Sequence, residues 1–320
     1  MYWWSSEYSP KELKHVNILH VKKLKWSNEK TTYKLKFPLW RLIHMIFFIF
    51  LCYSILCFHI NLTILYLYEN QLSGPIPQEL GMLSSLTDLA LSINNLTGTI
   101  PTSLGNLSNL NNLYLLRNHL YGTIPTSFGN LSNLTILDLG RNQLYGHIPQ
   151  EIGLPSSLSF LALASNNLVG VIPAPLTNLS NLTTLHLYEN QLSGSIPQEL
   201  GMLSSLTNLE LSINNLTSVI PASLGNLSKL TTLYLFENQL SGTIPQELGM
   251  LSSLTGLELG CTDTPFLASC RCRTCVEHQY GYDSPDSGVR RVSLFFFFSL
   301  LRHGFDTAPN GSNAAPTRQQ

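Results

Sequence analysis

The stretch Leu182–Leu206, LTTLHLYENQLSGSIPQELGMLSSL, contains one complete copy of a unit that recurs every 24 residues. Between Asn61 and Gly260 the unit occurs eight times without an insertion. A fixed period of this length indicates a solenoid, in which each unit buries its apolar face only against its neighbours. One asparagine marks each unit, six residues before the isoleucine of an Ile-Pro pair. These marker residues are Asn70, Asn94, Asn118, Asn142, Asn166, Asn190, Asn214 and Asn238.

The L-x-L segment of each unit predicts a short strand with one buried face. Leu65 and Leu67 are expected to point inward, with Tyr66 between them pointing outward. Strands one period apart lie side by side in parallel, so the array predicts nine strands. The Gly and Pro of G-x-I-P exclude a long helix. The segment L-G-x-L-x-x-L, which leads back to the next strand, suits a short 3₁₀ or helical turn. The predicted fold is an α/β-type solenoid, curved, with a parallel concave sheet and short turns on the convex side.

The marker asparagines are predicted to be structural. Each is flanked by leucines, so its amide is expected to be partly buried, and a buried amide without partners costs about 1–3 kcal/mol. We therefore expect these side chains to bond backbone groups of their own and adjacent turns and to form a ladder along the array.

The unit L-x-x-L-x-L-x-x-N-x-L-x-G-x-I-P-x-x-L-G-x-L-x-x-L resembles the plant-type leucine-rich repeat. Repeats of this type occur in the ectodomains of receptor-like kinases and receptor-like proteins, and the match covers about 200 of the 320 residues. The resemblance implies a non-catalytic module that recognises a peptide or protein ligand on its concave face, with a co-receptor as a further partner.

Two other functions stay open. The chain could be a truncated fragment of a receptor-like serine/threonine kinase, or a secreted inhibitor-type repeat protein of the cell wall. The sequence lacks a Gly-rich loop, an H-R-D and a D-F-G, and the 60 residues after the array are too few for a kinase domain. We therefore expect no enzymatic activity and no cofactor, and the residues of the repeats predict no metal site.

Ligand binding is expected at the outward positions of the strands, because the Leu, Asn, Gly, Ile and Pro positions are needed for folding. Aromatic side chains beside acids are typical of a peptide contact surface, although exposed tyrosine also simply suits strands. Arg117 and Arg141 hold the same place in adjacent units and could grip a carboxylate or sulfate, or form an ordinary salt-bridged patch with Asp138 nearby. The candidate residues are Tyr66, Tyr68, Tyr114, Arg117, Asp138, Arg141, His186, Tyr188, Tyr234 and Phe236.

The net charge of −1 conceals a strong asymmetry along the chain. Residues 1–60 carry nine Lys or Arg and three acids, whereas residues 61–260 carry three Lys or Arg and eleven acids. An acidic array argues against a nucleic-acid platform.

The N-terminal region predicts an entry into the secretory pathway. Residues 1–41 are basic and lack a sustained period, so we expect a disordered leader. Residues 42–60 contain no Asp, Glu, Lys or Arg, and their number is close to the roughly 20 that cross a bilayer. A cleaved signal, an uncleaved signal anchor and a buried entry segment all fit this run. Positive charge before it predicts that the repeats lie on the extracellular or lumenal side of the membrane, so the protein is expected to be membrane-associated or secreted.

Sequons for N-glycosylation occur along the array, which also favours a secreted or lumenal protein. The repeat pattern itself generates N-L-S and N-L-T, so these sites are not independent observations. The asparagines of these sequons are Asn61, Asn95, Asn106, Asn130, Asn133, Asn178, Asn181, Asn215, Asn226 and, in the tail, Asn310.

All six cysteines lie outside the repeats. Cys261, Cys270, Cys272 and Cys275 lie in the irregular tail, residues 261–320, where zinc binding, disulfides or no specific role stay open.

Overall fold

The computed structural model describes residues 18–20 and 62–260. Each unit contributes a three-residue strand to a ten-stranded parallel sheet, here called the concave sheet. Leu65 pairs with Leu89 and Leu89 with Leu113, so the strand register follows the 24-residue period. Its strands are Ile18–His20, Ile64–Tyr66, Asp88–Ala90, Asn112–Tyr114, Ile136–Asp138, Phe160–Ala162, Thr184–His186, Asn208–Glu210, Thr232–Tyr234 and Gly256–Glu258.

The strand Ile18–His20 adds to the nine that the array predicts. It pairs in parallel with Ile64–Tyr66, with Leu19 opposite Leu65. The open edge of a parallel sheet offers unpaired backbone groups that such a segment can satisfy. The rest of residues 1–41, for which a disordered leader is expected, lies outside the described residues. The apolar run 42–60 and the tail 261–320 lie outside the described residues. In the described part of the chain, no helix has the length and apolarity needed to cross a membrane.

A second sheet follows the marker asparagines, and here successive strands are paired 22 rather than 24 residues apart, as Gly146 with Leu168. The isolated bridges Thr99 with Tyr121 and Val219 with Ser241 extend the pairing. The strands of this second sheet are Ser73–Pro75 and Asn95–Thr97, which pair with each other, and the five strands Tyr121–Gly122, Gln143–His147, Asn167–Gly170, Gln191–Ser195 and Asn215–Thr217.

Short 3₁₀ helices form the convex side, one after each Ile-Pro pair, which confirms the prediction of short turns. Every helix is preceded by proline with φ between −60° and −69°, the range that its ring imposes. The helices are Gln78–Met82, Thr102–Asn106, Thr126–Asn130, Gln150–Gly153, Ala174–Asn178, Gln198–Met202, Ala222–Asn226 and Gln246–Met250.

The leucines and isoleucines form one core that runs through all the described units. Burying such a side chain contributes about 1.5–3 kcal/mol, so this column is the main source of stability. The last unit is less well covered, because Leu240, Ile244 and Leu259 are only partly buried. In the unit quoted above, the core side chains, each at most 3% exposed, are Leu182, Leu185, Leu187, Leu192, Ile196, Leu200, Leu203 and Leu206.

The marker asparagines form a ladder of side-chain hydrogen bonds between adjacent units. Asn94 Oδ1 accepts the N–H of Leu72 at 3.0 Å, and its Nδ2 donates to the carbonyls of Leu67 at 2.9 Å and Leu91 at 3.0 Å. The amide also donates to the carbonyl of Ser92 at 3.2 Å. The same bonds to the preceding unit recur from Asn118 to Asn238. Each amide is thereby satisfied inside the solenoid, where water cannot replace the partners.

Two positions of the unit have backbone torsions in the left-handed region. The residue before each marker asparagine has φ between 51° and 57°, and the glycine of G-x-I-P has φ between 76° and 90° in seven units. Ser218 replaces that glycine in one unit and keeps φ at 70°. A β-carbon in this region is strained, so Ser218 stores unfavourable energy that its glycine counterparts avoid.

We predict that Asn142→Leu lowers the free energy of unfolding by about 1–3 kcal/mol, because it leaves the buried N–H of Leu120 without a partner, while the carbonyls of Leu115 and Leu139 keep bonds from Asn118 and Asn166. The substitution removes the bonds of Asn142 to the N–H of Leu120 and to the carbonyls of Leu115 and Leu139. Urea unfolding followed by circular dichroism measures the change. Gln143→Leu is the matched control: Gln143 is exposed, so a change within about 0.5 kcal/mol is expected. Equal stability of wild type and Asn142→Leu would contradict the role of the ladder.

Ser218→Gly is predicted to raise the free energy of unfolding by about 1 kcal/mol, since it removes the strained β-carbon. Ser195→Gly provides the same chemical change within the strand Gln191–Ser195, where glycine costs about 0.5–1 kcal/mol in lost backbone entropy. The two variants should therefore shift the urea midpoint in opposite directions. Destabilisation by both would show that the torsion at Ser218 is not strained.

Candidate ligand-binding surface

Five of the predicted binding residues lie in one row across the concave sheet. The register aligns Tyr66 with Ala90 and Ala90 with Tyr114, which in turn pairs with Asp138. The row continues through Ala162 and Glu210, and its predicted members are Tyr66, Tyr114, Asp138, His186 and Tyr234. All five are half-buried, so their outer faces are available at the sheet surface.

The remaining aromatic candidates lie two residues further along the strands and contact the first row. Tyr68 meets Tyr66 edge to face, with ring centroids 6.2 Å apart. The rings of Tyr234 and Phe236 are 6.3 Å apart. Aromatic pairs at these separations restrain each other, which reduces the entropy that a ligand must offset on binding.

A third aromatic cluster occupies the middle of the concave sheet. The His186 ring lies 5.7 Å from the ring of Phe160 and 6.1 Å from that of Tyr188. Phe160 and Glu210, which pairs with His186, were not among the predicted binding residues. Their outward position in the strand pattern is the signal that could have identified them.

Small residues form the floor of a hollow between Tyr114 and His186. Ala162 and Ala164 are buried at the sheet surface, as is Gly140 in the neighbouring strand. The strands that carry Tyr114 and His186 are three steps apart in the sheet, which corresponds to about 14 Å. The concave sheet is therefore corrugated, with aromatic ridges on both sides of a wide floor.

Asp138 lies at the edge of this floor. Its Oδ1 accepts the N–H of Gly140 at 3.1 Å. Burial raises the pKa of the Asp138 carboxyl above its ordinary value, while the bond from Gly140 and the charge of His186 act in the opposite direction. The carboxyl is thus easier to protonate in the folded protein than in the unfolded chain.

His186 and Glu210 face each other across adjacent strands. His186 Nε2 lies 3.6 Å from Glu210 Oε1, which is close enough for an ion pair but long for a hydrogen bond. The same nitrogen is fully buried and, among the described residues, has no hydrogen-bond partner. Protonation of this imidazole would therefore place a positive charge directly against the carboxylate.

Arg117 and Arg141 are exposed at the edge of the concave sheet, where the chain turns with φ of 56° and 52°. Of the two alternatives for these arginines, the salt bridge to Asp138 is not formed within the described array, where the Asp138 carboxyl accepts the N–H of Gly140. Arg141 lies near enough to Tyr188 for its charge to act on the phenol. Burial and the charge of Glu210 raise the pKa of the Tyr188 phenol, and Arg141 partly offsets them.

The eight predicted glycosylation sites within the described residues are all exposed, and none belongs to a strand of the concave sheet. Six of them lie in or after the convex helices, and Asn95 and Asn215 begin strands of the second sheet. Asn133 Nδ2 and Asn181 Nδ2 donate to backbone carbonyls of the preceding unit, each at 3.0 Å. Asn61 lies outside the described residues.

Family models described as leucine rich repeat match the array from end to end. One model matches residues 61–83, 85–107, 109–131 and 133–154, and another matches residues 156–216 and 204–262. The protein belongs to the leucine-rich repeat family. No curated protein matches the sequence.

Solved plant receptor structures resemble this leucine-rich repeat array. The chain is 37% identical to the receptor in a crystal structure of PEPR1-AtPEP1; that match has a TM-score of 0.59 and covers 64% of this chain and 32% of the other. It is 41% identical to the Arabidopsis receptor kinase HAESA, solved in complex with the peptide hormone IDA and the co-receptor SERK1. The HAESA match has a TM-score of 0.56 and covers 57% of this chain and 31% of the other.

A plant ice-binding protein is also similar, with 31% identity and a TM-score of 0.54 over 63% of this chain and 66% of that one. The leucine-rich repeat chain thus spans about a third of the length of the two receptor chains, and about two thirds of the ice-binding protein.

We predict that Asp138→Asn removes a pH-dependent loss of stability. In the wild type, Asp138 binds its proton more tightly in the folded state than in the unfolded chain. The free energy of unfolding therefore falls as the pH rises from the ordinary pKa of aspartate through the raised pKa of the folded state. Asparagine keeps an oxygen for the N–H of Gly140 and has no charge to lose. Urea unfolding at a series of pH values measures the effect. The variant and the wild type should be equally stable in acid, and the variant should be more stable than the wild type near neutral pH. Glu199→Gln, on the convex side, controls for the loss of one charge, and a variant that is weaker at neutral pH would contradict the prediction.

Proposed function

We propose that this leucine-rich repeat array is a receptor-like recognition module, located on the extracellular side, which binds an extended peptide or a protein segment on its concave sheet. The observation that carries the proposal is the corrugated row of aromatic and charged side chains on a sheet face without sequons. The contact surface consists of the half-buried side chains around the buried Ala162 and Ala164, namely Tyr114, Asp138, His186 and Tyr188.

The hollow suits an extended chain that crosses the strands. Its floor is apolar, and hydrogen-bonding groups surround it on Asp138, His186 and Tyr188. Binding sites of this kind combine apolar contact area with a few polar groups that fix orientation. Tyrosine and arginine are also enriched among the residues that dominate binding energy at protein interfaces.

Charge is concentrated on the same face. Seven of the eleven acids of the array, and both of its arginines, occupy outward or edge positions of the concave sheet. On the concave side the last four units carry Glu189, Glu210, Glu237 and Glu258, and their one basic residue, Lys229, precedes the strand Thr232–Tyr234 on the return from the convex side. A ligand with a basic segment over these units and an acidic group near Arg117 and Arg141 would match this distribution.

The comparisons support a peptide or protein ligand. The two receptor structures described above are complexes with AtPEP1 and with the peptide hormone IDA. Exposed sequons on the convex side and at the second sheet support a glycosylated, extracellular protein whose concave sheet stays free of glycans. Attachment to a membrane through residues 42–60 and a co-receptor partner belong to the same proposal.

The proposal predicts that linear peptides selected from a random library against the full chain bind at the hollow. Tyr188→Ala should weaken their affinity at least tenfold, which corresponds to about 1.4 kcal/mol. Ala164→Trp, which fills the floor, should have the same effect. Titration calorimetry with the selected peptides measures both changes.

Ala174→Trp is the matched control, because Ala174 is exposed on the convex side and the same side chain is introduced there. Its affinity for the peptides should equal that of the wild type. Selected peptides that bind all variants equally, or a library that yields no binder, would refute concave-face recognition.

A further inference from the structure

The face of the second sheet contains no carboxylate, lysine or arginine, and its exposed histidines are His119 and His147. Eight segments contribute to it, and none contains Asp, Glu, Lys or Arg. The fourteen charged side chains of the array therefore lie on its other surfaces. The segments are 71–75, 95–99, 119–123, 143–147, 167–171, 191–195, 215–219 and 239–243.

Large side chains are nevertheless exposed in the middle of this face. Tyr121 is 48% exposed, Tyr145 53% and Val171 60%, and they lie in three consecutive units. Tyr121 is paired with Gln143, and Tyr145 with Asn167, so an amide side chain stands beside each phenol ring. The fold does not require these two exposed aromatic rings, because the equivalent position is Ser or Thr in five other units and Val169 in one.

Two side chains beside the tyrosines, those of His147 and Val171, pack against glycines of the next unit. A β-carbon on Gly194 would lie 3.0 Å from Val171 Cγ1, and the ring of His147 occupies the space that a β-carbon on Gly170 would need. These side chains therefore lie flat against the backbone of the following strand. A surface that is ordered before binding loses little entropy when it captures a ligand.

The chemistry of the face selects a neutral partner. Without Lys or Arg it lacks the contacts that bind nucleic acid or an acidic polymer, and without permanently charged side chains it has little means to orient a protein partner by electrostatics. It offers aromatic rings that pack against apolar C–H groups, and amide and hydroxyl groups that both donate and accept hydrogen bonds. Sugar rings in a neutral polysaccharide present the complementary groups, namely C–H faces and equatorial hydroxyls.

We propose that the second-sheet face between Asn95 and Asn215 binds a neutral polysaccharide chain, with the rings of Tyr121 and Tyr145 as the main contacts. The two sequon asparagines mark its ends, and the units between them have no sequon on this face. The site is separate from the concave sheet, so it does not depend on the proposed peptide recognition.

The test is retention of the full chain on insoluble cellulose, xylan and mannan, with polygalacturonate as the anionic comparison. Wild type is expected to bind at least one of the three neutral polymers, and the affinity should not fall between about 0.1 M and 1 M salt, because no charges take part. Tyr121→Ala combined with Tyr145→Ala should weaken retention at least tenfold. Both tyrosines are exposed, so the urea midpoint of the double variant should match that of the wild type.

Tyr114→Ala, a tyrosine of the concave sheet, is the matched control and should be retained like the wild type. The proposal is overturned if none of the three neutral polymers retains the protein, if Tyr114→Ala loses retention equally, or if binding requires low salt. Ice-crystal shaping is measured as a second assay. The proposal is also overturned if the wild type shapes ice crystals and the double variant loses this activity while it is still retained on polysaccharide, since the face would then bind ice.

Discussion

The asparagine ladder is the interaction on which the remaining structure depends. Each side chain of the ladder joins two units, because its oxygen accepts from the preceding unit and its nitrogen donates to both the preceding unit and its own. The ladder lies between the concave sheet and the second sheet, so it sets the angle at which the chain leaves one and enters the other. Leucine packing alone could not do this, since apolar contacts are not directional.

The strength of this constraint is visible in the residues that precede the asparagines. Ile93 and Ile213 hold φ at 57° and 55°, although a β-branched residue in the left-handed region is a true outlier. Such torsions persist only where the surroundings determine them, at a cost of about 1–3 kcal/mol each. The chain thus accepts strain at one position of each unit to keep the amide beside it fully bonded, and the same turn places Arg117 and Arg141 at the edge of the binding surface.

Most of the fold could be predicted from the sequence because the residues that recur with the period, namely Leu, Asn, Gly, Ile and Pro, each have one structural role in the unit. The spacing of Asn and Ile-Pro determined the ladder and the convex turns, and the L-x-L pattern determined the strands and the row that contains Tyr66 and His186. Contacts that join different units were harder to predict. The approach of His186 to Glu210 joins two neighbouring units and so has no signal in a single one. The bond from the Gly140 N–H to Asp138 lies within one unit, but it depends on local backbone geometry that the residue pattern does not specify. The strand Ile18–His20 lay outside the repeat pattern altogether.

Contacts that join only neighbouring units also have a mechanical consequence. A sheet of nine repeat strands is about 40 Å long, whereas the 24 residues of one unit reach about 80 Å when fully extended. Under tension along the chain, peeling a single unit from the end would lengthen the molecule by twice the length of the whole sheet, while the units behind it keep their ladder bonds. Because each unit packs only against its neighbours, we expect the array to lengthen in steps of one unit under tension rather than to unfold all at once.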